Sequence, residues 1–229
     1  MTMISQQHTI ILASNSPRRR ELLEMLELEF TVIPDESEEV IDLSLTPEQA
    51  VCKLAVKKAV NVSRLVSNCD IMENTLLSFP EPEKQDATLP FRTPKTAKPD
   101  VSDAVIIAAD TVVYLDGKPI EKPSDESDAV DMLQRLSGKR HTVYTGVCVL
   151  AGSIRSFGAE ATDVYFRELS HEEILRYVKT GEPMDKAGAY GAQGRGALFV
   201  ERIDGDFFNV MGLPLARLSD MLKSFGIVL

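Results

Sequence analysis

Short apolar runs and helix-like segments alternate in the first part of the chain. Thr9 to Ala13 is a β-branched apolar run with the length of a buried strand. Ser16-Pro17 is typical of a helix start, and leucines at helical spacing follow it. Phe30 to Ile33 predicts a second strand, and Thr46-Pro47 repeats the start signal before a helix that ends near Leu65.

The strongest strand signal of the chain is Ala104 to Leu115 (AVIIAADTVVYL), where order returns after Asp103. Its apolar residues do not alternate with polar ones, which indicates burial on both faces. Asp116-Gly117 predicts a hairpin turn. Further elements follow, with helices at about 125–136, 170–181 and 214–225 and strands at 142–150, 159–166 and 198–203. Hairpin and crossover connections together predict an α/β domain with a mixed β-sheet flanked by helices.

One segment, at about 67–102, lacks this patterning. It contains PEPEKQ and RTPKTAKPD, and it has too few apolar residues to form a core of its own. We therefore predict a single domain over residues 1–229 that carries a Pro-rich, mobile insertion.

Charge and cysteine content narrow the class of protein. A formal net charge of -10 argues against nucleic acid and anionic membranes as partners, although a local cationic site could still bind a small anion. The three cysteines are widely spaced and form no CxxC motif, which favours a reducing compartment. No apolar run is long enough to span a bilayer, and the N-terminus does not resemble a signal peptide. We therefore expect a cytoplasmic protein.

Two arginines, Arg18 and Arg19, follow the helix start at Ser16-Pro17. The start of a helix attracts anions, so cations in its first turn do not stabilise the helix but could bind phosphate. A capped surface helix with solvated arginines explains these residues about equally well.

Lys58 and Asp110 are charged residues in apolar surroundings. Lys58 shares one helix face with Val51, Leu54, Ala55 and Val62, where it either extends to solvent or serves an inner site. Asp110 lies within the best strand, where a carboxylate is costly to bury unless it is paired, protonated or next to a metal. A functional role for Asp110 is favoured over a structural aspartate at a strand end.

Two loops complete the candidate chemistry. Glu38 and Glu39 belong to an acidic loop whose oxygens suit magnesium or manganese, although such loops are often only solvated. Asp185 to Gly196 (DKAGAYGAQGRG) is rich in glycine, which permits close approach of a ligand but is also typical of a flexible loop.

Taken together, these segments resemble the Maf family of nucleotide pyrophosphatases. The matching pieces occur in family order over nearly the whole chain: Leu12 to Arg19 (LASNSPRR), Ala109-Asp110-Thr111, Glu121-Lys122-Pro123, Leu136-Ser137-Gly138, Asp185 to Gly194 and Asn209 to Leu215. The segment before Asp103 departs from the family pattern as an insertion. The resemblance implies an elongated α/β fold with two lobes around a deep cleft, often as a homodimer.

The resemblance also implies an activity and a set of residues. The activity is hydrolysis of a nucleoside triphosphate to the monophosphate and pyrophosphate, assisted by Mg²⁺ or Mn²⁺. Asp110 is implied as the proton acceptor and Glu39, with its neighbour Glu38, as the metal ligand. The implied phosphate ligands are Ser16, Arg18, Arg19, Lys58 and Lys122.

Arg18, Thr111 and Gln193 resemble the specificity positions of family members that act on dTTP and UTP. The expected substrates are therefore dTTP and UTP, and modified pyrimidine nucleotides are further candidates. Two alternatives stay open: a pyrophosphatase for methylated GTP or non-canonical purine triphosphates, and a nucleotide-binding regulator of cell division with little turnover.

Overall fold

The computed structural model describes residues 8–37, 39–67 and 104–229. Glu38, Cys69 and the predicted insertion beyond residue 67 lie outside these ranges. Within the described residues, seven strands form one sheet with the order β2-β1-β3-β5-β6-β7, and β4 pairs with β3. The strands are β1 Ile10–Leu12, β2 Phe30–Val32, β3 Val105–Leu115, β4 Lys118–Ile120, β5 Arg140–Ala151, β6 Ile154–Phe166 and β7 Val200–Asp204.

The sheet is mixed, as the sequence predicted. Strand β1 pairs in parallel with both β2 and β3, whereas β4 pairs antiparallel with β3 and β7 pairs antiparallel with β6. The helices that accompany it are α1 Pro17–Met25, α2 Pro47–Ser67, α3 Glu126–Leu136, α4 His171–Val178, α5 Phe207–Met211 and α6 Leu215–Lys223. None of these helices is long and apolar enough to cross a membrane.

The chain divides into two compact units, and the boundary falls between Asp110 and Thr111. Unit 1 comprises the described residues up to Asp110 together with Gly146–Glu160 and Gly212–Leu229. Unit 2 comprises Thr111–Thr145 and Ala161–Met211. The prediction of a single domain over the whole chain stays a prediction.

The core of unit 1 forms where one face of α2 packs on the sheet. Ala55, Val56, Ala59 and Val62 of α2 are fully buried among strand residues such as Ile106 and Cys148. Two of these residues, Ala55 and Val62, belong to the apolar stripe on which Lys58 was predicted to lie.

The core of unit 2 combines the last part of β3 with α3, α4 and a group of aromatic rings. His141 belongs to this group, because its ring meets those of Phe166 and Tyr190 edge-on, with ring centroids 4.8 and 5.3 Å apart. Its Nε2 lies 2.8 Å from the hydroxyl of Tyr190. His141 is therefore part of the aromatic core of unit 2.

Several local predictions can be compared directly with the structure. Strand β3 is buried along its length apart from half-buried Thr111. Asp116 and Gly117 both have positive φ, 52° and 74°, as a two-residue hairpin turn requires. A capping box at Ser170 opens α4, within the segment predicted as a helix from residue 170.

Two local predictions were wrong in part. Ser16 occupies the position before α1, but its side chain makes no capping hydrogen bond to the described backbone. The strand predicted over 198–203 begins only at Val200, because Leu198 belongs to a 3₁₀ turn, Arg195–Phe199, and its side chain is exposed.

Candidate active site

In unit 1, two carboxylates converge on the ammonium group of Lys58. Its Nζ lies 2.6 Å from Oε1 of Glu39 and forms an ion pair with Oδ1 of Asp110. Lys58 and Asp110 are only 8% and 4% exposed, whereas Glu39 is exposed to solvent. The structure therefore brings together three of the residues that the sequence singled out.

Burial dominates the electrostatics of Asp110. Removal from water raises the pKa of its carboxyl group, and the charge of Glu39 acts in the same direction. The ammonium of Lys58 and the guanidinium of Arg19 oppose this rise. A carboxylate with a raised pKa, next to cations that keep it ionisable, is suited to accept a proton.

Arg19 is buried at the start of α1, contrary to the interpretation of a surface helix with solvated arginines. Its Nε donates to the carbonyl of Gly212 at 2.8 Å, and Nη1 donates to Oγ of Ser14 at 3.0 Å. Burial lowers the pKa of its guanidinium, while the charges of Asp110 and Glu39 raise it. Arg19 therefore joins the charged group around Lys58 and also fixes the backbone.

Ser14 lies in the predicted Leu12 to Arg19 segment, but the sequence did not predict its contacts. Its buried hydroxyl oxygen accepts hydrogen bonds from the backbone N–H of Ser16, at 3.2 Å, and from Arg19. These contacts hold the turn between β1 and α1. Ser16 and Arg18 lie in that turn and the following helix, and both are half-buried.

Asn61 was also missed, although it lies on α2 close to Lys58. Its side-chain amide donates to both carboxylate oxygens of Asp35, at 3.2 and 3.3 Å, and to Oγ of Ser37 at 3.2 Å. These bonds tie the acidic loop that carries Glu39 to the helix that carries Lys58. A long-range amide contact of this kind leaves no local signal in the sequence.

The donor set of unit 1 was compared with the requirements of a divalent metal. No group of three or more His, Cys, Asp or Glu side chains in the described ranges is arranged to hold a metal ion. Glu39 and Asp110 nevertheless share one cation, Lys58. Magnesium and manganese bind to few carboxylates and complete their shells with water and phosphate oxygens. The residues therefore fit a metal that is bound largely through a phosphate ligand.

In unit 2, Thr111 belongs to a network of directed hydrogen bonds. Its hydroxyl lies 2.9 Å from that of Thr145, which donates to the carbonyl of Asn209 at 2.9 Å. The Asn209 side chain donates to the carbonyl of Val143 and to Oγ1 of Thr162. Thr111 is thus held by buried polar groups directly after Asp110 in the chain.

The other predicted residues of unit 2 are more exposed. The side chains of Lys122 and Gln193 both face solvent. Gln193 lies in a bend between the 3₁₀ turns Ala187–Ala189 and Arg195–Phe199, so this glycine-rich segment has defined structure. Lys186, in the same segment, donates to Asp185 and to the carbonyl of Glu182.

Comparison with known proteins identifies the family of the chain. The family described as Maf-like protein matches residues 9–225. The chain belongs to the Maf family. The match contains all the candidate residues of both units.

Relatives of this Maf protein have been named for their substrates. A protein from Caldicellulosiruptor saccharolyticus is 43% identical over 95% of this chain and 94% of its own length. One from Bacillus pumilus is 42% identical over 95% and 97%, and one from Aquifex aeolicus is 43% identical over 96% of each chain. All three are named dTTP/UTP pyrophosphatase.

Proposed function

We propose that this Maf protein is a pyrophosphatase that hydrolyses dTTP and UTP to the monophosphate and pyrophosphate. The observation that carries the proposal is the buried Lys58–Asp110 pair with Glu39 beside it. It occurs in a chain that is 43% identical to a dTTP/UTP pyrophosphatase over nearly its full length.

Asp110 is proposed as the proton acceptor. In the reaction a water oxygen bonds to phosphorus while the bridge between the α- and β-phosphates breaks, and pyrophosphate leaves. The proton that water loses passes to the Asp110 carboxylate, whose raised pKa suits it to hold that proton. Before Asp110 accepts the proton, the positive charge of Lys58 neutralises the negative charge of its carboxylate.

The cations near Asp110 are proposed to stabilise the triphosphate. Charge builds up on phosphoryl oxygens during transfer, so catalysis depends mainly on positioning and charge neutralisation. Ser16, Arg18, Arg19 and Lys58 are the phosphate ligands that we propose in unit 1. Burial of Arg19 and Lys58 strengthens their effect, because water screens them less.

A divalent metal, Mg²⁺ or Mn²⁺, is proposed as the cofactor. When bound it would polarise phosphoryl oxygens and neutralise their charge. Glu39 is the proposed ligand in the described part of the chain, and Glu38 is proposed as its neighbour.

Lys122 in unit 2 is proposed as a further phosphate ligand. Thr111 and Gln193, together with Arg18, are proposed to select the base. The family resemblance also supports a homodimer, which light scattering of the purified protein tests. A cytoplasmic location is proposed from the cysteine content.

A substrate panel tests the proposed function. Pyrophosphate release is measured with dTTP, UTP, CTP, GTP, methylated GTP and inosine triphosphate, each with Mg²⁺ and with Mn²⁺. The proposal requires the highest kcat/KM for dTTP and UTP. Preference for a purine would instead support the related pyrophosphatases, and tight binding without release would support a nucleotide-binding regulator.

A further inference from the structure

The segment that carries Gln193 is fixed on both sides by two side chains. On the C-terminal side of Gln193, the Glu182 carboxylate accepts hydrogen bonds from the backbone N–H of Arg195 at 3.1 Å and of Gly196 at 3.2 Å. On the N-terminal side of Gln193, the backbone N–H of Gly191 donates to the hydroxyl of Tyr177 at 3.1 Å. That hydroxyl in turn donates to Oε1 of Glu182 at 3.0 Å, so the two side chains are joined by a hydrogen bond.

Both side chains are themselves anchored in unit 2. Tyr177 lies on α4, and its ring packs edge-on against Phe199 with centroids 4.9 Å apart. Glu182 begins the 3₁₀ turn Glu182–Asp185, and its carbonyl accepts from Nζ of Lys186 at 2.5 Å. Glu182 and Tyr177 are together called the clamp, and they connect the segment to α4 and to the 3₁₀ turn Glu182–Asp185.

The glycines of the segment make room for the clamp. A Cβ atom on Gly196 would lie 2.8 Å from the Tyr177 hydroxyl and 2.5 Å from the carbonyl oxygen of Gly191. Gly194 has a φ of 89°, and a Cβ there would lie 3.0 Å from the Glu182 carboxylate. These contacts give the glycine spacing an internal reason that differs from close approach of a ligand or flexibility.

We propose that Glu182 and Tyr177 are positioning residues for base selection, acting through Gln193. The inference rests on the proposed function, in which Gln193 helps to select the base. The exposed amide of Gln193 can offer one donor and one acceptor to the imide edge of uracil or thymine. Such recognition requires placement to within about 0.5 Å, which a glycine-rich segment does not provide without external support.

Two nearly isosteric substitutions test the clamp. Glu182→Gln replaces one acceptor oxygen by an amide NH₂, which must then face an N–H or O–H donor. Tyr177→Phe keeps the ring in the core and removes only the hydroxyl. Glu201→Gln is the matched control, because it neutralises an exposed carboxylate of the same unit on β7. Activity is measured as kcat and KM for UTP and for CTP.

Each clamp variant is expected to lower the ratio of kcat/KM for UTP to that for CTP by about tenfold, as the loss of a hydrogen bond to a charged group allows. The change should appear as a higher KM for UTP with kcat nearly retained. The double variant should lower the UTP/CTP ratio little more than either single variant does, because both substitutions disrupt the same hydrogen-bonded pair. A lower melting temperature with an unchanged UTP/CTP ratio would overturn the proposal.

Hydrogen exchange of the backbone amides provides a measurement that is independent of substrate. The amides of Gly191, Arg195 and Gly196 should exchange at least about tenfold faster in Glu182→Gln, but not in Glu201→Gln. Unchanged protection would also overturn the proposal. If the unaltered protein prefers another base, the proposed function fails by itself, and the clamp then requires that both variants erode that other preference.

Discussion

The ammonium of Lys58 and the carboxylate of Asp110 form a buried ion pair between α2 and β3, although 52 residues separate them in the sequence. A buried charge is unfavourable by itself, and in this pair the opposite charges stabilise each other. Glu39 reaches the same ammonium from the acidic loop. The pair therefore places a carboxyl group and an ammonium group at one buried point of unit 1.

Replacement of Asp110 by asparagine is expected to remove turnover while nucleotide binding persists. The amide preserves the shape of the side chain but cannot accept the proton of water, and a general base contributes about 100-fold or more to the rate. Pyrophosphate release measures turnover, and titration with a non-hydrolysable UTP analogue measures binding. Asp116→Asn, in the exposed hairpin turn, is the control. Near-normal release by Asp110→Asn would exclude Asp110 as the base.

Replacement of Lys58 by methionine is expected to destabilise the protein at neutral pH. It leaves Asp110 buried without its ammonium, and removal of one partner of a buried pair costs about 3 kcal/mol or more of unfolding free energy. Burial already makes Asp110 bind a proton more tightly in the folded than in the unfolded chain, and loss of the Lys58 ammonium would raise its pKa further. The loss should therefore shrink as the pH falls below 7 and Asp110 becomes neutral.

Urea unfolding at pH 7 and pH 5 measures this effect. The double variant Lys58→Met with Asp110→Asn should recover part of the stability at pH 7, since no buried charge is left at this pair. Lys57→Met is the matched control, because Lys57 is the next residue on α2 and only half-buried. An equal loss at both pH values, without recovery in the double variant, would mean that packing of the lysine chain explains the effect.

The sequence predicted the pieces of this site better than their contacts. Lys58 and Asp110 each stood out because a charge interrupted an apolar pattern, and that signal is local. Their pairing was not predictable, because it depends on how α2 packs against β3. The burial of Arg19 depends in the same way on the carbonyl of Gly212, which is 193 residues away in the chain.

The fold followed the hydrophobic pattern closely, and its errors have physical causes. Strand β3 was predictable because a run of buried β-branched residues allows few alternatives. The start of β7 was misplaced because Leu198 is typical of a strand by residue type, whereas it belongs to the 3₁₀ turn Arg195–Phe199. The Glu182 clamp was not predicted, since a glutamate that accepts backbone N–H groups has no distinctive sequence pattern.

Replacement of Gln193 by alanine is expected to erode pyrimidine preference more than it lowers stability. The side chain is exposed, so its removal leaves no cavity, whereas the base would lose a donor and an acceptor. A panel of the four ribonucleoside triphosphates and a melting curve measure the two effects. Leu198→Ala truncates another exposed side chain nearby and serves as the control. An unchanged substrate profile with a lower melting temperature would reverse the assignment.

Replacement of Gly146 by alanine is expected to destabilise unit 1. A Cβ on Gly146 would lie 2.3 Å from the backbone carbonyl of Val51 and 2.7 Å from the backbone nitrogen of Cys52, so β5 and α2 would have to separate. Overpacking of this kind costs about 1–3 kcal/mol, which a urea titration can detect. Gly158→Ala is the control, because its Cβ would meet only the flexible side chain of Arg217. Equal losses in the two variants would contradict this explanation.

His141 makes the stability of unit 2 depend on pH. Burial lowers the pKa of its imidazole to about 4, and its Nδ1 has no hydrogen-bond partner among the described residues. In an unfolded chain the pKa of histidine is about 6.5. The unfolded state therefore binds a proton below about pH 6.5, while the folded state resists protonation down to about pH 4.

The free energy of unfolding should consequently fall as the pH is lowered from 6.5 towards 4, by about 3 kcal/mol at most from this group. Urea titrations at half-unit pH steps measure the slope. In His141→Gln no group titrates at this position, so the variant should be less stable at pH 7 but should lose less stability on acidification. His171→Gln is the matched control, because it removes an exposed histidine of the same unit. If His141→Gln keeps the full slope of the unaltered protein, carboxylates rather than His141 cause the loss of stability at acidic pH. The reason is that a variant without His141 cannot show a slope that depends on this histidine.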